Sequence, residues 1–255
     1  MTELVWGPVQ EEMIEALTDD PTDIPGVIEM QRRLQDLLER ATPLDTANPV
    51  ADFNWLYLTI TEEILTRLRA GYFADPEFLT MLDVEFAKRY FDALRRWSLP
   101  GAGTPEAWQV LFRRLRDLAV RSLPAAAAGV NAHVNYDLPF ALVNTWDKLG
   151  SGPADHRQRQ DYLLINEVFF AKIPELRRGY LATWQLLVDR LNGRLDDWCQ
   201  NSVIEAARNL AWEDGERLWS LRNDEVAFEQ VRSTLDRHTA FIGWALLSPA
   251  CAFLQ

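Results

Sequence analysis

Lysine is nearly absent from this chain. Of 26 basic residues only Lys88, Lys148 and Lys172 are lysines, leaving 23 arginines, a skew that reads as codon usage of a GC-rich bacterial genome. Positive charge is also outweighed overall: the formal net charge is −12 over 255 residues. That balance excludes nucleic acid as an expected partner, because no basic surface offers itself to phosphates. It argues equally against an anionic membrane surface. Cysteine occurs twice, at Cys199 and Cys251, with no CxxC pair and no disulfide framework. Buried thiols in a cytoplasmic protein are the expectation. Only three histidines are present, too few for a histidine-rich trinuclear zinc site. The longest apolar run, FIGWALLSPACAFL, is shorter than a membrane span and is broken by Pro249. The first residues, MTELVWGPVQEEMIEAL, lack the basic start and apolar run of a signal peptide. A soluble protein without a membrane span follows as the expectation.

What is present is helical periodicity. Apolar residues are 48% of the chain, and almost every segment repeats them at about 3.6 residues, with no convincing period of two. DIPGVIEMQRRLQDLLERA reads as a first long helix. DFNWLYLTITEEILTRLRAG reads as a second, with Asp52 as its expected N-cap and Gly71 as its stop. DPEFLTMLDVEFAKRYFDALRRW is a third, opened by Asp75 and Pro76. TPEAWQVLFRRLRDLAVRSL is a fourth, capped by Thr104. After the loop GSGPADHRQ come helices expected near 157–173, 175–192, 195–222 and 224–247. Both halves share this character, so the loop near 150–157 is expected inside one all-α domain covering 1–255. The architecture expected is a multi-helix bundle around a buried helix at 125–147.

That central helix carries NAHVNYDLP, a polar cluster in an apolar setting. Val130, Val134, Leu138, Ala141 and Leu142 surround it, and a helix apolar nearly all round is a buried one. Each buried polar group needs a partner, since an unsatisfied one costs roughly 1–3 kcal/mol. His133 and Asp137 lie four apart and share a face, while Asn131 and Asn135 share another. Such a His–Asp pair can move a proton or hold a metal. Pro139 has no N–H and deprives the Asn135 carbonyl of its helical partner, so a bend is expected there. A buried His–Asp pair is often just a satisfied core pair. Four polar side chains in seven residues are costly to bury for stability alone, and they shift the reading to a site. On the third helix Asp83 interrupts the stripe of Leu79, Leu82, Phe86, Tyr90 and Leu94. On the second, Asn54 and Thr61 flank the stripe of Phe53, Tyr57, Ile60, Ile64 and Leu68. The ten tryptophans fall mostly in such stripes and read as core, with a few free to line an apolar pocket.

FNWLYLTITEEI, FADPEFLTMLDVEFAKRYFDAL and GVNAHVNYDLPFALV together resemble a family of bacterial and fungal proteins known as domain of unknown function 5995. The match runs through roughly residues 25–215 and is carried by three clusters: Phe53, Asn54, Leu56, Tyr57, Leu58, Thr61 and Glu62; then Leu82, Asp83, Val84, Phe86, Ala87, Tyr90 and Phe91; then Asn131, His133, Asn135, Asp137, Leu138 and Pro139. The resemblance implies an all-helical fold and a shared pocket, and supplies no reaction.

Other motifs fail on context. DDPTD at 19–23 spells a magnesium-binding pattern of terpene synthases, but Pro21 stands in its middle and loop surrounds it. HVNYDLPF lacks the second histidine that zinc phosphoesterases of the phospholipase C kind place after the proline. No GxGxxG, P-loop or nucleophile elbow is present. The expected function is therefore an intracellular enzyme of specialised metabolism acting on an apolar small molecule by acid–base chemistry: cyclisation, isomerisation or elimination without a cofactor. His133 would be the acid/base, oriented by Asp137 or Asp83, with Asn131, Asn135, Tyr57, Asn54 and Tyr90 binding substrate. Two alternatives stand beside it. One is a hydrolase with a single divalent metal on His133, Asp137 and Asp83. The other is a non-catalytic binding or interaction protein.

Overall fold

The computed structural model describes residues 5–41, 48–99, 101–115, 117, 120–181 and 201–248, the side chains of 173–181 and 201–203 excepted. Cys199, Cys251, Trp184 and Trp198 lie outside them. The described residues are helical and contain no strand. A 3-10 turn at Gly7–Val9 leads into α1 (Gln10–Ala16) and α2 (Ile24–Ala41). Then come α3 (Pro49–Arg69), α4 (Pro76–Ser98) and the short α5 (Glu106–Phe112). The central rod is α6 (Ser122–Ala132), a π turn at His133–Asp137, and α7 (Leu138–Leu149). It is followed by α8 (His156–Leu181), α9 (Asn201–Ser220) and α10 (Glu225–Leu246). No described helix is long and apolar enough to cross a membrane.

The helix boundaries follow local chemistry. Asp75 caps α4 as its position suggests, accepting from the Phe78 amide. The cap of α3 is Asn48 rather than Asp52: its side chain takes the Val50 and Ala51 amides, and the helix begins at Pro49, four residues earlier than its first aromatic. The fourth expected helix is largely absent. Only Glu106–Phe112 forms, uncapped by Thr104, and the chain turns at Arg113–Leu115. A break expected at 174 does not occur, since α8 continues to Leu181. The expected helix at 175–192 therefore merges with it as far as Leu181, and its remainder lies outside the described residues. Gly150, in the left-handed conformation at φ 61°, closes α7.

The rod is central because it has no polar face to turn outward. Ala125 to Ala128 are all buried, as are Leu138 to Val143. Helix α3 and α10 pack along α6, while α4 and α9 pack along α7. The approach of α3 is close: a Cβ on Gly129 would stand 2.4 Å from the Phe53 ring. One apolar cluster joins Ile60, Phe78 and Leu138 to Tyr162, Ile165 and Trp212, so helices from both sides of the 150–155 loop share a core.

Candidate active site

The π turn determines what the polar cluster does. In an ordinary α-helix the Asn135 carbonyl would meet residue 139, which is proline and has no N–H. The turn just before that proline runs in the five-residue register of a π helix. The register is set by the bond from the Leu138 amide to the His133 carbonyl. The helix is locally widened just before Pro139, with His133 and Asp137 at the two ends of the turn.

His133 Nδ1 lies 3.0 Å from Asp137 Oδ2. A carboxylate only accepts, so Nδ1 carries the proton and donates it, and Nε2 keeps its lone pair. The same Oδ2 accepts from Trp108 Nε1 at 2.9 Å, and Oδ1 accepts from Arg89 Nε at 3.3 Å. Arg89 is itself held over the rings of Phe140, at 4.6 Å, and Tyr136, at 5.6 Å. Asp137 is therefore fully engaged on three sides and fixed in place, as is the imidazole it orients. Phe86 stacks on the imidazole face at 3.5 Å between centroids and 7° between planes. Tyr57 meets it edge-on at 4.5 Å. Desolvation pulls the His133 pKa below its ordinary value against the opposing pull of Asp137, which keeps the ring neutral and basic near pH 7.

A cavity opens beside this pair. Its walls come from α3, α4, the π turn, α7, α8 and α9, and they are mostly Leu, Ile, Val and Phe. Its interior holds about 50 Å³ of free space, room for a few water molecules. Out past its mouth the space between the walls, open solvent included, comes to about 620 Å³. Four polar side chains enter the apolar wall: Tyr57, Asp83, His133 and Arg208. Three of them bring a buried atom with no hydrogen-bond partner among the described residues: the Tyr57 hydroxyl, Asp83 Oδ2 and His133 Nε2. Burial raises the Asp83 carboxyl to about 7, so it holds its proton up to neutral pH. Burial, reinforced by Asp83 and Asp137, pushes the Tyr57 phenol well above its ordinary value, so it remains a donor.

The structure brings together His133, Asp137, Asp83 and Tyr57 and sets the other expected site residues elsewhere. Asn131 donates to the Thr239 carbonyl at 2.9 Å and accepts from Asn135 at 2.9 Å, so this pair ties the rod to α10 and is not part of the cavity wall. Their offset from His133 and Asp137 along the rod turns them toward that helix. Asn54 donates to the Gln31 carbonyl and to Gln35, at 2.9 and 2.8 Å, and joins α3 to α2. Tyr90 is buried between Phe53 and Trp108, behind the wall rather than in it. The alternative metal set of His133, Asp137 and Asp83 is not assembled: among the described residues no three His, Cys, Asp or Glu side chains stand where they could hold an ion. Both Asp137 oxygens are already spent on Trp108, His133 and Arg89, which is the physical reason. Asp19, Asp20 and Asp23 of the DDPTD stretch are likewise occupied, by Arg33, Lys88 and the Gly26 amide.

Residues 24–249 match the model of a family of unknown function, DUF5995. The chain belongs to that family. No curated protein and no solved structure matches it. The DUF5995 match takes in every wall of the cavity, from Phe53 to Arg208. Three residues of this DUF5995 site were not apparent as such in the sequence. Trp108 reads as one more core tryptophan. Arg89 lies six residues beyond Asp83 on α4, on a different face, so its spacing gave no signal. Arg208 sits in VIEAARNLAW three residues after Glu205, a spacing that reads as an ordinary exposed helix pair and gives no sign of burial.

Proposed function

We propose that the protein is an enzyme of small-molecule metabolism that moves protons on an apolar substrate, in cyclisation, isomerisation or elimination. The observation that carries this reading is that three buried polar atoms without partners among the described residues, on His133, Asp83 and Tyr57, belong to side chains lining one apolar cavity. Each such atom costs about 1–3 kcal/mol in a merely structural role. A ligand able to exchange protons or hydrogen bonds with them offsets that cost. His133 Nε2 acts as the base, held in its tautomer by Asp137 in the manner of a nucleophile-free dyad. Asp83, still protonated at neutral pH, acts as the acid, and the Tyr57 hydroxyl steadies developing negative charge. Two groups whose surroundings push their proton affinities in useful and opposite senses make an acid–base assignment. The apolar wall excludes water, so that proton transfer is directed to the substrate.

The test is a reporter of base catalysis that fits a small apolar cavity, the elimination of 5-nitrobenzisoxazole. The base takes the ring C–H proton, the N–O bond breaks, and a coloured cyanonitrophenolate forms. The full chain should accelerate this reaction beyond free imidazole at equal concentration, and His133→Gln should remove the excess by about 10²-fold or more. A rate equal to that of imidazole, or an unaltered rate in His133→Gln, overturns the reading.

A further inference from the structure

Arg208 is the polar wall residue that the acid–base chemistry does not use. It is 3% exposed, a burial rare for arginine unless a counter-charge accompanies it. Its partners are all neutral. Nε donates to Asn166 Oδ1 at 2.9 Å, Nη2 donates to the Tyr162 carbonyl at 2.8 Å, and the guanidinium lies 4.2 Å over the Tyr162 ring. Among the charges acting on it is another cation, Arg159, which stands over the same aromatic pair, 5.4 Å from the Tyr162 ring and 4.8 Å from the Trp212 ring. Arg159 donates to Asn209, and its Nη1 is buried without a partner among the described residues. Desolvation pulls Arg208 below the ordinary arginine value, yet a guanidinium keeps its proton in any protein setting. A positive charge is thus held in an apolar wall with no carboxylate among its contacts in the described residues. Removing one partner from a buried ion pair is strongly destabilising, so a fold that holds the unpaired half awaits the other.

We infer that the cavity takes an apolar molecule bearing an anionic oxygen head group, a carboxylate or a phosphate, and that Arg208 binds that head while His133 and Asp83 face the carbon skeleton. The guanidinium has five N–H groups; two are used, on Asn166 and Tyr162, which leaves three for a ligand. The bonds already made fix the plane of the fork, so it is pre-organised for an oxyanion. This inference rests on the acid–base reading for what happens at the far end of the ligand, but not for the binding itself.

Calorimetric titration of the full chain with decanoate, decyl phosphate and decan-1-ol tests it. The three share a chain and differ in the head. Decanoate or decyl phosphate should bind at least ten-fold more tightly than decan-1-ol, a difference of about 1.4 kcal/mol, and the better of the two anions names the head group. Arg208→Met should bring the anions down to the level of the alcohol. Because that variant also loses two internal hydrogen bonds, Asn166→Asp serves beside it. It keeps Arg208 and its bond but supplies the missing counter-charge from within. It should raise the melting temperature and remove the preference for the anions. Equal binding of alcohol and anions by the unmodified protein, or a preference surviving in Asn166→Asp, overturns the inference. Binding of none of the three overturns it as well, and does so independently of the elimination assay, which reads His133 alone.

Discussion

Asp83 shows how a single side chain couples stability to chemistry. Its carboxyl is buried on α4 with Oδ2 unpartnered, and desolvation raises it from 3.8 to about 7. The folded state therefore holds a proton that the unfolded chain has released across this interval. Stability from this group is fully present below about pH 4 and is lost as pH rises through about 7, on the order of 4 kcal/mol in all. His133 runs the other way: its lowered value makes the fold lose stability as pH falls below the ordinary histidine range. The two trends oppose each other in the whole protein, so a difference measurement isolates Asp83. Asp83→Asn should match the parent melting temperature near pH 4 and exceed it by a growing margin to about pH 7, then by a constant one. Thermal melts across this range check it, and a margin independent of pH would show that Asp83 is not held protonated. Residues of this kind were legible in the sequence: His133, Asp137, Asp83 and Tyr57 interrupt or face apolar stripes where charge and hydroxyl are rare. Arg89, Trp108 and Arg208 were not, because each owes its role to contacts between distant segments. Trp108 reaches Asp137 across 29 positions, and Arg89 reaches it across 48.

At the scale of the element, the close approach of α3 to α6 positions the site. Phe53 packs 5.6 Å from the imidazole and forms part of the cavity wall, and Gly129 is what lets it approach. Replacing Gly129 with alanine in the middle of a helix would ordinarily stabilise by about 1 kcal/mol. Here the added Cβ meets Phe53 Cγ at 2.4 Å and Cβ at 2.7 Å, positions near the α3 backbone that cannot swing away. Overpacking of this kind costs about 1–3 kcal/mol, so the net effect should be destabilising. Gly129→Ala is expected to lower the melting temperature and, by pushing Phe53 inward, to weaken decanoate binding. A variant more stable than the parent would mean that the helices part at no cost. Periodicity found the long helices because burying one stripe dictates the repeat. It overextended the fourth, whose pattern continues past Phe112 while the chain turns. It did not find the π turn at His133–Asp137, since a π register depends on what packs around the rod rather than on the rod alone.

At the scale of the whole molecule, the question is whether the 150–155 loop separates two folding units. The contacts argue that it does not. Helix α9 lies along α7, α10 lies along α5 and α6, and α8 lies along α3, so each later helix covers an earlier one. Trp146 and Trp212, on either side of the loop, meet edge to face at 5.1 Å, and both are buried. Asp161 on α8 accepts the amides of Ala74 and Asp75 at the start of α4, closing the same seam with hydrogen bonds. The cavity itself needs both sides, with His133 and Asp83 before the loop and Ile165, Phe169 and Arg208 after it. Neither half could bury its apolar face alone, because the rod that fills one half is the surface on which the other is built. Denaturant unfolding should accordingly be one cooperative transition, with tryptophan fluorescence and helical circular dichroism coincident. A protease cut within 150–155 should leave both fragments associated until that same transition. Two separated transitions, or a stable fragment ending at the loop, would divide the chain there and leave the cavity as an interface between two units.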